Sequence, residues 1–147
     1  MDDLAPVGAG MTAVRAVASS AAQQFLAFDI GTKRTGVAVG STITRSAQPL
    51  KSIVAAGDAR FAPIAALIKE WQPSALVVGV PCHPDGAAHT MTAHAQRFAR
   101  QLHGRFGLMV HEVDERYSSV EAQSRGVHDI DAESACVILE QFLKDNP

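Results

Sequence analysis

Four carboxylates stand close to the ends of apolar runs or at the start of one. Asp29 sits inside "LAFDI", Asp114 and Glu115 close "GLMVHEVDE", and Asp131 opens "DAESACVILEQFL". A carboxylate inside an apolar run is costly unless it is paired, so Asp29 demands a partner. Carboxylates gathered at one rim repel one another and are comfortable only with cations. Mg²⁺ is a hard ion that takes oxygen ligands, usually one or two carboxylates together with substrate phosphate. Two such ions about 3.5–4 Å apart can stabilise both the attacking and the leaving oxygen of a phosphodiester cleavage. The set therefore points to metal-dependent hydrolysis of a nucleic-acid backbone. Lys33, Arg34 and Arg116 flank the acids and suit the holding of neighbouring phosphates.

Each residue also has a plainer reading. Asp29 can accept hydrogen bonds from its own turn. Asp114 and Glu115 are adjacent in extended backbone and face opposite ways, so only one aims at a shared site. Glu115 is the favoured one, with Asp114 retained as the alternative ligand. Asp131 is as readily a helix N-cap as a ligand. Lys33 and Arg34 can be a solvated turn, and Glu121 the closing residue of a capping box with Ser118. Cys82, His83, His89 and His94 match no standard zinc spacing. Trp71 ends an apolar stripe and reads as packing.

These residues need a scaffold that brings remote positions together. "FLAFDI" (25–30) and "TGVAVG" (35–40) read as strands joined in a hairpin across "GTKR". "ITRSAQPL" (43–50) reads as a third strand, with Pro49 marking its end. Phe61, Ile64, Ile68 and Trp71 form one helical stripe, begun near Pro63 and stopped at Pro73. "SALVVGV" (74–80) has the continuous apolar character of a strand covered on both faces. A second helix spans about 90–105, with Met91, Ala95, Phe98, Leu102 and Phe106 at helical spacing. A strand covers 107–114, a short helix opens at Ser118, and a last helix covers about 131–144, with Cys136, Leu139 and Leu143 on one face. The order predicts an α/β fold: a mixed five-stranded sheet of three antiparallel strands and two βα units, with helices on both faces. In such a sheet the carboxyl ends of the parallel strands are the usual site.

The bulk numbers agree with that scale. A chain of 147 residues fits one domain with a single sizeable core. Hydrophobic residues make up 47%, which favours folding over disorder. Residues 1–24 read as a poorly ordered extension ahead of a domain over 25–147. The net charge of −2 gives no global attraction for nucleic acid, so any phosphate site must be local. No apolar run approaches the ~20 residues that span a bilayer, and Cys82 and Cys136 form neither a CxxC nor a disulfide framework. A cytoplasmic protein with reduced thiols is the expectation.

The segments "LAFDIGTKRTGVAVG", "LVVGVPCHPDGAAHTMTAHAQRFARQL", "VDERYSSVEA" and "DAESACVILEQFL" together resemble the YqgF family, also described as Holliday junction resolvase-like or pre-16S rRNA nuclease. The resemblance runs from about Phe25 to Leu143. It implies an RNase H-like fold, phosphodiester cleavage with Mg²⁺ or Mn²⁺, and trimming of the 5′ end of the 16S rRNA precursor, free or inside the pre-30S particle. Asp29 matches the acid of the family's first strand. Asp114, Glu115 and Arg116 match its "DER" motif, and Asp131 matches the acid that starts its last helix. The chain departs from the family where "GVPCHPDG" replaces "GLPLNMDG".

Three other readings stay open at this level. A branched-DNA resolvase would share the chemistry but should act as a dimer, whereas a monomer or weak homodimer suffices for RNA trimming. "DIGTKRTG" also looks like the first phosphate loop of sugar kinases and related ATPases, although no second Gly-rich loop follows. A non-catalytic RNA-binding factor would keep the fold without the chemistry.

Overall fold

The computed structural model describes residues 23–81, 90–114 and 130–145. In chain order these form β1 (Gln24–Ile30), β2 (Arg34–Ser41), β3 (Ala47–Val54), a 3-10 turn (Gly57–Arg60), α1 (Phe61–Trp71), β4 (Ala75–Val80), α2 (Thr90–Phe106), β5 (Met109–Asp114) and α3 (Ile130–Asp145). Most of the N-terminal extension and the helix expected from Ser118 lie outside the described residues.

The strands form one five-stranded sheet in the order β3-β2-β1-β4-β5. β2 runs antiparallel to both β1 and β3, while β1, β4 and β5 are parallel. Alternation along β1 sends its residues to two different cores. Leu26, Phe28 and Ile30 join Val37, Val78, Ile64 and Phe98 under α1 and α2. Phe25 and Ala27 join Ala38, Val77, Cys136, Leu139 and Leu143 under α3. Helices therefore cover both faces, and β4 is buried at every residue, as its unbroken apolar run requires.

The two faces are packed by different means. Under α1 and α2 the contacts are large side chains, including Phe28 edge-on to Phe98 at 5.9 Å. Under α3 several strand residues are small, Ala27, Ala38 and Ala75, with Gly36 and Gly40 beside them on β2. A Cβ at Gly36 would stand 1.8 Å from the carbonyl oxygen of Asp131, and one at Gly40 would stand 3.0 Å from Cδ2 of Leu139. The backbone of α3 thus lies directly on β2. Its far end is fixed by Phe142, whose ring sits 5.2 Å from Phe25 and 4.8 Å from His111.

The third strand departs from expectation. It covers Ala47–Val54 rather than 43–50, and Pro49 lies inside it, opposite Ala38. β3 is the edge of the sheet, and at an edge the missing proline donor can point to solvent without breaking a ladder. The preceding residues are spent on a turn in which Arg45 adopts a positive φ.

Replacing Gly36 by Ala should cost about 3 kcal/mol, because the opposing atoms are backbone and cannot yield. A thermal melt should show a Tm lower by about 10 °C. Gly104→Ala in α2 is the control: a Cβ there meets nothing within 4 Å, so the helix should gain about 0.5–1 kcal/mol.

Candidate active site

The "GTKR" turn links β1 to β2 as a two-residue loop. The Gly31 N–H donates to the Arg34 carbonyl at 2.7 Å, and a Cβ on Gly31 would stand 2.9 Å from that same oxygen. Thr32 and Lys33 form the exposed tip. The turn is braced from behind by Arg60, whose Nη2 donates to the carbonyls of Gly31 and, at 2.7 Å, Thr32. Arg60 is 3% exposed. Burial pushes its guanidinium down from the usual arginine range, yet an arginine so far above neutrality stays charged.

Asp29 follows Phe25 and Ala27 on the α3 face of β1. Its cross-strand partner is Gly36, the residue on which the first turn of α3 rests. Asp29 and Asp131 are therefore brought to one place although 102 positions separate them in sequence. On its other side, the β1–β4 register pairs Phe28 with Val78, so one step further sets Asp29 level with Gly79. Gly36 on one flank lets the first turn of α3 come up against the sheet beside Asp29.

Asp131 lies in the first turn of α3, where the helix dipole favours a negative charge. Arg34 Nε donates to Asp131 Oδ2 at 2.7 Å, and the two side chains are 49% and 41% exposed. The "GTKR" turn thus supplies a cation directly to the acid of the last helix. Arg34, read from the sequence as a phosphate contact, is engaged with Asp131 here.

Asp114 is placed differently. It pairs with Val80, which belongs to the core under α1 and α2, while Val113 packs toward α3. Asp114 accordingly projects on the face opposite to Asp29. Glu115 and Arg116 lie outside the described residues, as do Cys82, His83 and His89. Among the described residues no three His, Cys, Asp or Glu side chains cluster closely enough to hold a metal ion. Asp29 and Asp131 offer hard carboxylate oxygens, the donor type that Mg²⁺ and Mn²⁺ take.

A model of the RuvX family, described as Holliday junction resolvase, matches residues 23–145. The chain belongs to this family. The membership agrees with the resemblance carried by the "DIGTKRTG" and "DER" motifs. A protein of Albidiferax ferrireducens named "Putative pre-16S rRNA nuclease" is 65% identical over 122 residues, covering 83% of this chain and 78% of that one. A protein of Polaromonas sp. with the same name is 61% identical over 125 residues, covering 85% and 91%. Among solved structures, Thermus-type RuvC ("T. thermophilus RuvC in complex with Holliday junction substrate") is similar at a TM-score of 0.52 and 14% identity, covering 84% of this chain and 94% of that one. That likeness establishes the RNase H-like fold.

Within the RuvX chain, two charged residues of this region were not foreseen. Arg60 lies in a polar linker with no motif around it. Its role appears only when the turn it braces is brought to it. Glu133, 7% exposed, is a second acid in the first turn of α3. In sequence it reads as an ordinary helix-start acid, and its burial is set by how α3 docks.

Arg34→Gln tests the ion pair on its own. Both partners are about half exposed, so the loss of stability should stay below about 1 kcal/mol. The Tm should then fall by less than about 4 °C. A larger drop would mean that Arg34 is a structural strut rather than a charge held ready at the site.

Proposed function

We propose that this RuvX-family chain is a metal-dependent nuclease that matures the 5′ end of pre-16S rRNA in the cytoplasm, acting alone or as a weak homodimer on the precursor or on the pre-30S particle. The observation that carries the reading is the seat of α3 on Gly36, which sets the acid of the last helix beside the acid of the first strand. The relatives' name supports this substrate, and the family supports phosphodiester hydrolysis. The likeness to RuvC adds the fold, in which the carboxyl ends of parallel strands are the usual site.

Asp29 and Asp131 are the residues that would hold the ion, with Glu115 completing the set as the member of the "DER" motif that follows Asp114. A divalent ion held there would polarise the scissile phosphate and make a water more acidic. The chain's own residues do the rest. Lys33 at the exposed turn tip meets the neighbouring backbone charge, and Arg116 of the "DER" motif is the second cation for it. Arg34 neutralises Asp131, and with a divalent ion held there its guanidinium would turn to phosphate, two of whose oxygens suit its paired donors. Charge supplied in this way is local, which a chain of net charge −2 needs.

The decisive measurement is Mn²⁺-dependent cleavage of a 16S precursor by wild type, Asp29→Asn and Asp131→Asn side by side. Each variant should lose at least about 100-fold in rate, as expected when a charge-stabilising group is removed, while melting near wild type. Equal rates would overturn the assignment. Symmetric nicks in a four-way DNA junction, with no cleavage of the precursor, would move the substrate to branched DNA. Arg34→Gln should weaken RNA binding and tighten Mn²⁺ binding, since it removes a positive charge that competes for Asp131. Isothermal titration with each ligand reads the two effects separately.

A further inference from the structure

The face of the sheet turned away from Asp29 and Asp131 holds a second set of polar groups, at the same end of β1. A cavity of about 140 Å³ opens between the 3-10 turn and α2, floored by Ile30, Phe61 and Phe98 and edged by Arg60, His94, Arg97, Gln101 and Asp58. Arg60 is 3% exposed. Its Nε and the Nε2 of His94 are buried without a hydrogen-bond partner among the described residues. Leaving a buried polar nitrogen unsatisfied is costly, and two such nitrogens edge one cavity. Asp58 does not supply the acceptor, since its Oδ1 lies 3.8 Å from Nη2 of Arg105 and its side chain is 80% exposed. Arg105 is itself fixed over the Phe61 ring at 4.0 Å.

The requirement is for a compact acceptor with several oxygens and negative charge. It must reach the Arg60 Nε–H and a His94 Nε2–H together, with Arg97 at the rim to offset its charge. Water can fill such a space but cannot balance Arg60, whose charge is deep and faces only neutral carbonyls on its Nη2 side. We propose that this cavity is an anion site for a phosphate group, separate from the carboxylate rim and on the opposite face of the sheet. A phosphate here touches the same guanidinium that holds the Gly31 and Thr32 carbonyls, so it is coupled to the turn that carries Lys33 and Arg34. The group can be a free phosphate or a diester of a nucleic-acid strand. The chemistry is shared, and the proposal does not depend on which residues cut.

The test uses the full ¹⁵N-labelled chain without divalent metal, so its outcome is independent of any nuclease activity. Inorganic phosphate is titrated in one arm and an oligoribonucleotide lacking terminal phosphates in the other. The Arg60 Nε–Hε and His94 side-chain resonances should shift saturably in at least one arm, and the arm that saturates identifies the source. In the His94→Gln/Arg97→Gln double variant the affinity should fall by about tenfold, the effect of losing one charge-assisted hydrogen bond. Arg60 is kept, because it braces the turn, and the variant should melt near wild type. No saturable shift in either arm would overturn the proposal, and so would an unchanged affinity in the double variant.

Discussion

The contact on which this molecule turns involves no side chain on one partner at all. The first turn of α3 rests on Gly36, close enough that a single added carbon would meet the Asp131 carbonyl at 1.8 Å. Apolar burial supplies the energy that brings α3 to the sheet. Ile138, Leu139 and Leu143 are fully or almost fully buried, at about 1.5–3 kcal/mol each. That attraction has no direction and would tolerate a helix lying a few ångströms away. Gly36 and Gly40 remove the spacing that a side chain would impose, and Phe142, wedged between Phe25 and His111, sets the other end. Energy thus comes from the apolar face and position from the glycines. Position is what an acid needs if it is to share a ligand with another acid on a different element.

Electrostatics then acts on a geometry already fixed by packing. Two carboxylates at one rim need a counter-charge, and Arg34 supplies one to Asp131 at 2.7 Å. The pair is half exposed and contributes little to stability. Its weakness would suit the proposed metal site, because a pair buried and fully bonded would resist exchange. The brace behind the turn has the opposite character. Arg60 is buried, and its charge is spent on the Gly31 and Thr32 carbonyls. Removing it would leave two acceptors unpaired next to the core. One turn is therefore held by a rigid cation on one face and carries an exchangeable one on the other.

Much of this was legible in the sequence, and the failures have physical causes. The apolar run "FLAFDI" read as the first strand with Asp29 near its end, as observed, and the stripe of α2 through Ala95, Phe98 and Leu102 is the buried one. Both signals are local, and tertiary packing agrees with them. β3 was misplaced by four residues because proline was read as a strand terminator. That holds for a central strand and fails at an edge, and edge position is a property of the whole sheet. Arg60 and Glu133 were not legible for a similar reason. Nothing near either residue in sequence signals burial, which depends on partners about 30 positions away for Arg60 and on the docking of α3 for Glu133. Gly36 did carry a signal, since glycine inside a strand often marks close backbone approach, but the sequence does not say which backbone approaches.

The carboxyl end of β1 is then the place where the two halves of the molecule meet. Ile30 opens onto the basic cavity under α1 and α2, while Asp29, one residue earlier, belongs to the α3 face. A strand residue and its neighbour always point to opposite sides, so the same short turn is reached from both faces. With a net charge of −2 the molecule cannot gather a polyanion by its overall field, and screening at physiological salt confines any attraction to about 8 Å. Cations concentrated on one turn and in one cavity behind it act within that range. Binding built this way depends on the shape of the strand at the turn more than on total charge, which is the behaviour required of a protein that must choose one phosphate among many.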